Sequence, residues 1–293
     1  MKIVIIGENG QLGTDCLTLL SKDHQTVGCD IPEINIGDRE NVDRFMEKNQ
    51  PDVIINCAAY TAVDNCEKEV DLTWQVNAQG PKYLAQAAAR LSSRLIHIST
   101  DYVFDGYRKV PDPYLESDTP NPLSQYGKSK LAGEEMVTEY APDHAVLRTA
   151  WLYSAFGGNF LKTMLKLALS DPERELKVVD DQYGSLTWSY TLALQIQKLV
   201  ESDLQGIMHT TAEGYSSWYG AACYFLDGMS VPYNIRPCTT AEYPTPAHRP
   251  ANSILANKVL LDAGLSTFVS WQDDIDTFIA RYGEQLLSEA QGD

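Results

Sequence analysis

Short apolar runs rich in Ile and Val alternate with longer stretches of helical spacing through the first half of this 293-residue chain. KIVIIG, QTVGCD, DVIINCAA, RLIHIST and HAVLRTAW read as strands. Between them RENVDRFMEKNQ, DLTWQVNAQGPKYLAQAAARL and SKLAGEEMVTEY carry apolar residues at helical intervals. Nearly continuous apolar strands need cover on both faces, so this alternation predicts βαβ units around a parallel sheet. Beyond about Trp151 the pattern loosens into shorter elements with aromatic and proline-rich joins such as PCTTAEYPTPAHRPANS. This reads as a smaller second domain over residues 151–293, interleaved with the first, the chain returning to the 1–150 unit around 170–203.

Composition removes several classes of function. A formal charge of −17 sets a repulsive field against nucleic acid and acidic membrane surfaces, so an anionic small ligand needs local help from helix N-termini and arginines. The apolar run at the amino terminus is broken by glycine after six residues, too short for a signal or membrane segment, and a cytoplasmic protein is expected. Six cysteines without C-x-x-C spacing signal neither a zinc site nor a disulfide framework, and no histidine has metal-ligand spacing, so no metal is expected.

Chemistry first shows after the first strand, in Gly7-Glu8-Asn9-Gly10-Gln11-Leu12-Gly13. Glycines there permit a tight turn and bring backbone N–H groups and a helix N-terminus to a pyrophosphate. The spacing G-x-x-G-x-x-G differs from the commoner G-x-G-x-x-G and is a weak signal alone. A second strand ending at Asp30 strengthens it, because a Rossmann-type, doubly wound sheet places there the acid that binds the adenosine ribose. Such an acid leans toward NADH, whereas Arg39 can accept the 2′-phosphate of NADPH. Asp38 fits either the adenine neighbourhood or a helix N-cap.

The second motif is QYGKSKLAGEE. Tyr126 and Lys130 stand four apart and share one helix face. A nearby ammonium favours the phenolate and is expected to lower the tyrosine pKa toward a range useful for proton transfer. Upstream, RLIHI leads into Ser99-Thr100-Asp101, placing hydroxyls at the carboxyl end of a strand, where open α/β sheets bind ligands. Thr100 is the chosen partner of the substrate oxygen.

Together with NCAA, VNAQG and ISTD, these motifs resemble the extended short-chain dehydrogenase/reductase family in type and order. AAYTAVDNCE, STDYVFDG, YGKSKLAGE, RTAWLY, GNFLKTML, DQYGSLT and YPTPAHRPANS narrow the resemblance to its branch of dTDP-linked 4-keto-6-deoxy-sugar reductases, over residues 7 to about 253. The resemblance implies a Rossmann-type dinucleotide-binding domain, a smaller C-terminal nucleotide-sugar domain, and NADPH or NADH as cofactor. It implies that Gly7, Gly10, Gln11, Leu12 and Gly13 hold the cofactor diphosphate, Asp30 the ribose, and Asp38 with Arg39 the adenine side. Ala59, Tyr60 and Thr61 would line the nicotinamide side, and Asn77 would support Lys130. Thr100, Tyr126 and Lys130 form the implied catalytic triad; Thr100, Asp101 and Trp151 meet the sugar, Asn159 and Arg249 the nucleotide diphosphate.

Two alternatives stay open at this point: another nucleotide-sugar reductase or epimerase, and a non-catalytic NADP-binding regulatory subunit. A 4,6-dehydratase needs a glutamate after Thr-Asp, and Tyr102 stands there instead. Some relatives pair through magnesium between acidic residues. Asp15 matches one such position and Tyr190 another, which leaves a homodimer without the metal bridge as the expectation.

Overall fold

A computed structural model describes residues 1–292. The five runs read as strands form β1 (Lys2–Ile6), β2 (Gln25–Cys29), β3 (Val53–Asn56), β4 (Arg94–Thr100) and β5 (His144–Thr149). With Gly206–His209 they build a six-stranded sheet in the order Gly206–His209, β5, β4, β3, β1, β2, parallel throughout. The order reverses between β1 and β3, which opens a crevice at the carboxyl ends of those strands.

The pleat explains why these strands are apolar on both sides. Ile3 and Ile5 face a core completed by helices Gln11–Leu20 and Ser189–Val200, through Leu12, Cys16, Leu192 and Ile196. Val4 and Ile6 face the opposite core, filled by Val42 and Met46 of Arg39–Asn49, Leu84 and Ala85 of Gly80–Leu91, and Val137 of Gln125–Tyr140. The result is a three-layer Rossmann-type sandwich.

A third apolar cluster gathers Leu161 and Leu165 of helix Phe160–Ser170, Phe225 of Trp218–Gly228 and Phe278 of Trp271–Gln291. Beside it Leu176–Val179 pairs in parallel with Ile235–Cys238. After Thr149 the chain does not stay in this cluster: Ser189–Val200, Gly206–His209 and Lys258–Asp262 contribute Leu199, Met208 and Leu260 to the first core. Among the described residues no helix is long and apolar enough to cross a membrane.

Candidate active site

The glycine turn follows β1 directly. Gly7 has φ +83°, a left-handed backbone that favours glycine, and its N–H donates to the Cys29 carbonyl at 2.9 Å. A Cβ at Gly13 would stand 2.0 Å from the Gly7 carbonyl oxygen, so the first helix abuts the turn only because no side chain is there. That helix begins at Gly10 without a side-chain cap. Its first N–H groups are therefore left for a ligand, and the donor set fits a diphosphate. Gly13→Ala must push the helix off the turn. About 1–3 kcal/mol of lost stability, with weakened NAD(P)H binding, is expected in chemical denaturation and fluorescence titration.

The turn forms one wall of a cleft of about 650 Å³. Gly7, Gly10, Gln11, Leu12, Gly13, Asp30, Ala59 and Thr61 line it, as do Thr100, Asp101, Tyr126, Lys130 and Trp151. The remaining candidates lie elsewhere. Asp38 caps helix Arg39–Asn49, accepting from the Asn41 N–H at 3.2 Å, and Arg39 is exposed, 3.7 Å from Asp43. Tyr60 turns its hydroxyl to Glu69. Asn77 sits in a π-helical turn over Gln75–Gln79, a wound segment that re-aims its amide. It accepts from the Tyr60 N–H at 2.8 Å and donates to the Tyr60 carbonyl and the Ser129 hydroxyl, so its hydrogen bonds secure the Tyr60 loop and helix Gln125–Tyr140 rather than reaching Lys130. Asn159 caps helix Phe160–Ser170 through Lys162 N–H at 3.1 Å while donating to Gln11 Oε1 at 3.4 Å. Arg249 lines a second cavity.

Ser124 caps helix Gln125–Tyr140, accepting from the Gly127 N–H at 3.1 Å, and the first turns present Tyr126 and Lys130 to the cleft. Two glycines let this helix dock closely: Cβ atoms at Gly127 and Gly133 would come within 2.2 Å of the Tyr102 carbonyl and 2.3 Å of the Asn77 carbonyl. Thr100 shares the cleft with Tyr126, and its hydroxyl donates to Asp101 Oδ1 at 3.0 Å. Lys130 Nζ donates to the Ile98 carbonyl at 2.6 Å. Behind them Glu134 takes a two-pronged contact from Arg148 of β5, with Nη2 to Oε2 at 2.6 Å, and accepts from Ser99 of β4. One carboxylate thus ties the helix to two strands.

The electrostatics correct one expectation. Burial pushes the Tyr126 phenol well above its ordinary range, and the neighbouring Thr100 hydroxyl only partly offsets this. Asp101 and Cys66 add to the rise, while the Lys130 ammonium turns to the Ile98 carbonyl, so the proton stays on Tyr126, the state a proton donor needs. Burial also pulls Lys130 down to about 8, with Glu134 opposing, and raises Asp101 to about 6. Lysine carries its charge below its pKa. Activity that depends on the Lys130 ammonium is therefore expected to fall as pH rises through about 8, as a kcat/KM profile would record.

Sequence reasoning passed over several lining residues. Trp218 stacks on Trp151 with ring centroids 3.6 Å apart and planes 10° from parallel. Trp151 has φ +48°, and a Cβ at Gly184 would lie 2.6 Å from its indole. The indole is thus clamped between backbone and Trp218, which also walls the second cavity, about 620 Å³ in volume. Tyr102 meets Tyr126 edge-on at 5.5 Å, and Gly157 and Gly158 line the cleft against Gln11, whose Nε2 donates to the Gly158 carbonyl at 3.4 Å. The GG pair in AFGGN was the one legible hint of that close approach.

The family described as the RmlD substrate binding domain matches residues 1–284. The chain belongs to this family. A dTDP-4-dehydrorhamnose reductase of Sinorhizobium fredii is 40% identical over 268 residues, 87% of this chain and 88% of that protein. The spore coat polysaccharide biosynthesis protein SpsK of Bacillus subtilis is 38% identical over 265 residues, covering 90% and 92% of the two chains. Among solved structures, a dTDP-4-dehydrorhamnose reductase of Clostridium acetobutylicum superimposes with a TM-score of 0.92 at 40% identity, over 96% of this chain and 99% of that one. The Bacillus anthracis reductase in complex with NADP matches with the same TM-score at 36% identity, over the same shares of both chains. A Thermus thermophilus UDP-glucose 4-epimerase, 18% identical, shares the fold with RmlD-family members such as this chain.

Proposed function

We propose that this protein is an NAD(P)H-dependent oxidoreductase that reduces the C4 ketone of dTDP-4-dehydro-6-deoxy-L-mannose, giving dTDP-L-rhamnose. The observation that carries the reading is the meeting of Thr100, Tyr126 and Lys130 in one cleft with the open helix start at Gly10. The named relatives supply the substrate identity.

Bound NAD(P)H supplies the hydride. Gly10, Gln11 and the first N–H groups of the Gln11–Leu20 helix hold its diphosphate, and Asp30 takes the adenosine ribose. Thr100 orients the substrate C4 oxygen, and Tyr126 delivers its hydroxyl proton to that oxygen as charge develops there. Lys130 hydrogen-bonds the nicotinamide ribose. Asp101, with an unpartnered buried oxygen, and the clamped Trp151 shape the sugar subsite. The second cavity, with Trp218 and the cations Arg174, Lys177 and Arg249, suits the nucleotide and its phosphates within an otherwise acidic chain. NADPH and NADH are both accepted in this reading, because Asp30 on the cleft favours a free 2′-hydroxyl while the exposed Arg39, at the start of the helix that follows the Asp30 loop, can meet a 2′-phosphate.

Mixing the purified protein with NADPH and dTDP-4-dehydro-6-deoxy-L-mannose tests the assignment. Stoichiometric loss of NADPH absorbance with formation of dTDP-L-rhamnose is expected. Isomerised sugar without net oxidation would indicate an epimerase, and binding without turnover a regulatory subunit; either overturns the assignment.

The reading extends to a cytoplasmic homodimer assembled without a bridging metal. Asp15 is buried and accepts from Ser154 at 3.3 Å and from Ser189, while Tyr190 lies under the Arg281 guanidinium at 4.4 Å. Light scattering that gives a dimer mass unaltered by a chelator is the expected result; a dimer that dissociates in chelator overturns it.

A further inference from the structure

A proline-rich loop borders the second cavity through Thr245 and Arg249. In residues 244–250, PTPAHRP, three prolines lack a donor N–H. Among the described residues, every hydrogen bond from this loop to the rest of the chain ends on one carboxylate, Asp64 of the short helix Val63–Cys66. Asp64 accepts from Arg249 Nη1 at 3.1 Å and Nη2 at 2.9 Å, and from the Ala247 N–H at 3.1 Å. The guanidinium holds the Asp64 carboxyl below its usual range.

The two ends of the loop are fixed independently of Asp64. On one side the Thr240 N–H donates to Asp181 at 2.8 Å; on the other the Asn252 N–H donates to the Gly106 carbonyl at 3.2 Å. Asp64 therefore sets the middle of a strap whose ends are already anchored. Its neighbour Val63 lines the first cavity, and Arg249 lines the second. A substrate with its ketone at Tyr126 and its base in the second cavity must pass its diphosphate along this seam.

Resting on the proposed function, we infer that Asp64 is the positioning residue for the nucleotide diphosphate: it holds the Arg249 fork and the loop in place, leaving the remaining guanidinium N–H groups to the phosphates. An Arg fork pre-oriented by a carboxylate loses less freedom on binding an anion than one that must be ordered by it. Asp64 also places a negative charge near the phosphates, which opposes binding. Because that charge is neutralised in place by two charge-assisted hydrogen bonds, the pre-ordering dominates. Asp64 touches neither the hydride nor the proton path, so its removal acts on substrate affinity.

Steady-state kinetics and calorimetry on the full-length protein separate these effects. In D64A, KM for the nucleotide sugar is expected to rise about tenfold, with kcat and the dissociation constant of NADPH nearly unchanged. D64N, which keeps an acceptor oxygen without the charge, is expected to fall between wild type and D64A. It also serves should D64A fold poorly. In an R249K background, where the fork is gone, D64A should add little, since the two residues act as one unit. The dissociation constant of dTDP alone, measured by calorimetry, should rise in parallel with KM. An unchanged or lowered KM and dTDP affinity in D64A, or a fall in kcat alone, overturns the inference. Wild-type protein that binds dTDP but does not reduce the ketone refutes the proposed function instead, and the dTDP titrations still decide the role of Asp64.

Discussion

Tyr126→Phe is expected to lower turnover by about a hundred- to ten-thousandfold while leaving NADPH binding nearly intact, the range over which a positioned proton donor contributes. The substitution removes one oxygen from a buried ring. Its aromatic contacts, including the edge-on packing of Tyr102 at 5.5 Å, need only the ring and are retained. What disappears is the hydroxyl beside Thr100, held protonated by burial. Hydride arriving at C4 would then leave an alkoxide without the phenol proton that neutralises it. Single-turnover absorbance measurements with saturating NADPH isolate that step. Turnover within tenfold of wild type would place the proton source elsewhere, with Lys130, Asp101 and Tyr102 among the other titratable groups on the cleft.

Glu134→Ala should unfold the protein more readily by about 3–5 kcal/mol, because it strands the Arg148 cation among apolar neighbours. Both side chains of the pair are 2% exposed. Arginine cannot shed its proton at accessible pH, and its Nη1 already lacks a hydrogen-bond partner, with the group lying over the Phe104 ring at 5.2 Å. Arg148→Met should cost less, since a stranded Glu134 can take up a proton and become neutral. Urea unfolding of the two variants measures the difference; equal losses would mean that packing rather than charge dominates. Glu134→Ala should also depress activity in the folded fraction. The same carboxylate binds Ser99, one residue before Thr100, and sits one turn beyond Lys130, so it keeps strand and helix in register at the site.

How much of this was legible in the residues depends on the range over which each property is set. The five strand runs and their order of appearance were readable because a strand buried on both faces must be apolar at successive positions, and β1 is buried from Ile3 to Ile6. Tyr126 and Lys130 were readable as a pair because helical spacing alone puts them on one face. The acidity of Tyr126 was misread. Spacing places Lys130 on the same helix face but does not report the loss of water around the phenol, and that loss raises the pKa here.

The site's other wall depended on chain segments far apart in sequence. Trp151 meets Trp218 only when the helix Trp218–Gly228 folds back, and Gly184 must lack a side chain for the indole to fit. Asp64 and Arg249 lie 185 positions apart; Arg249 was a candidate for the nucleotide diphosphate, but nothing local pointed to Asp64 as its partner, and their bidentate contact exists only once the 244–250 loop packs against the helix Val63–Cys66. Periodicity and local motifs therefore determined the sheet, the diphosphate turn and the proton-donating helix, since those rest on backbone geometry within a few residues. Desolvation, long-range pairing and the join between the two cavities were decided by tertiary packing, because each is a property of what surrounds a group rather than of the group or its neighbours along the chain.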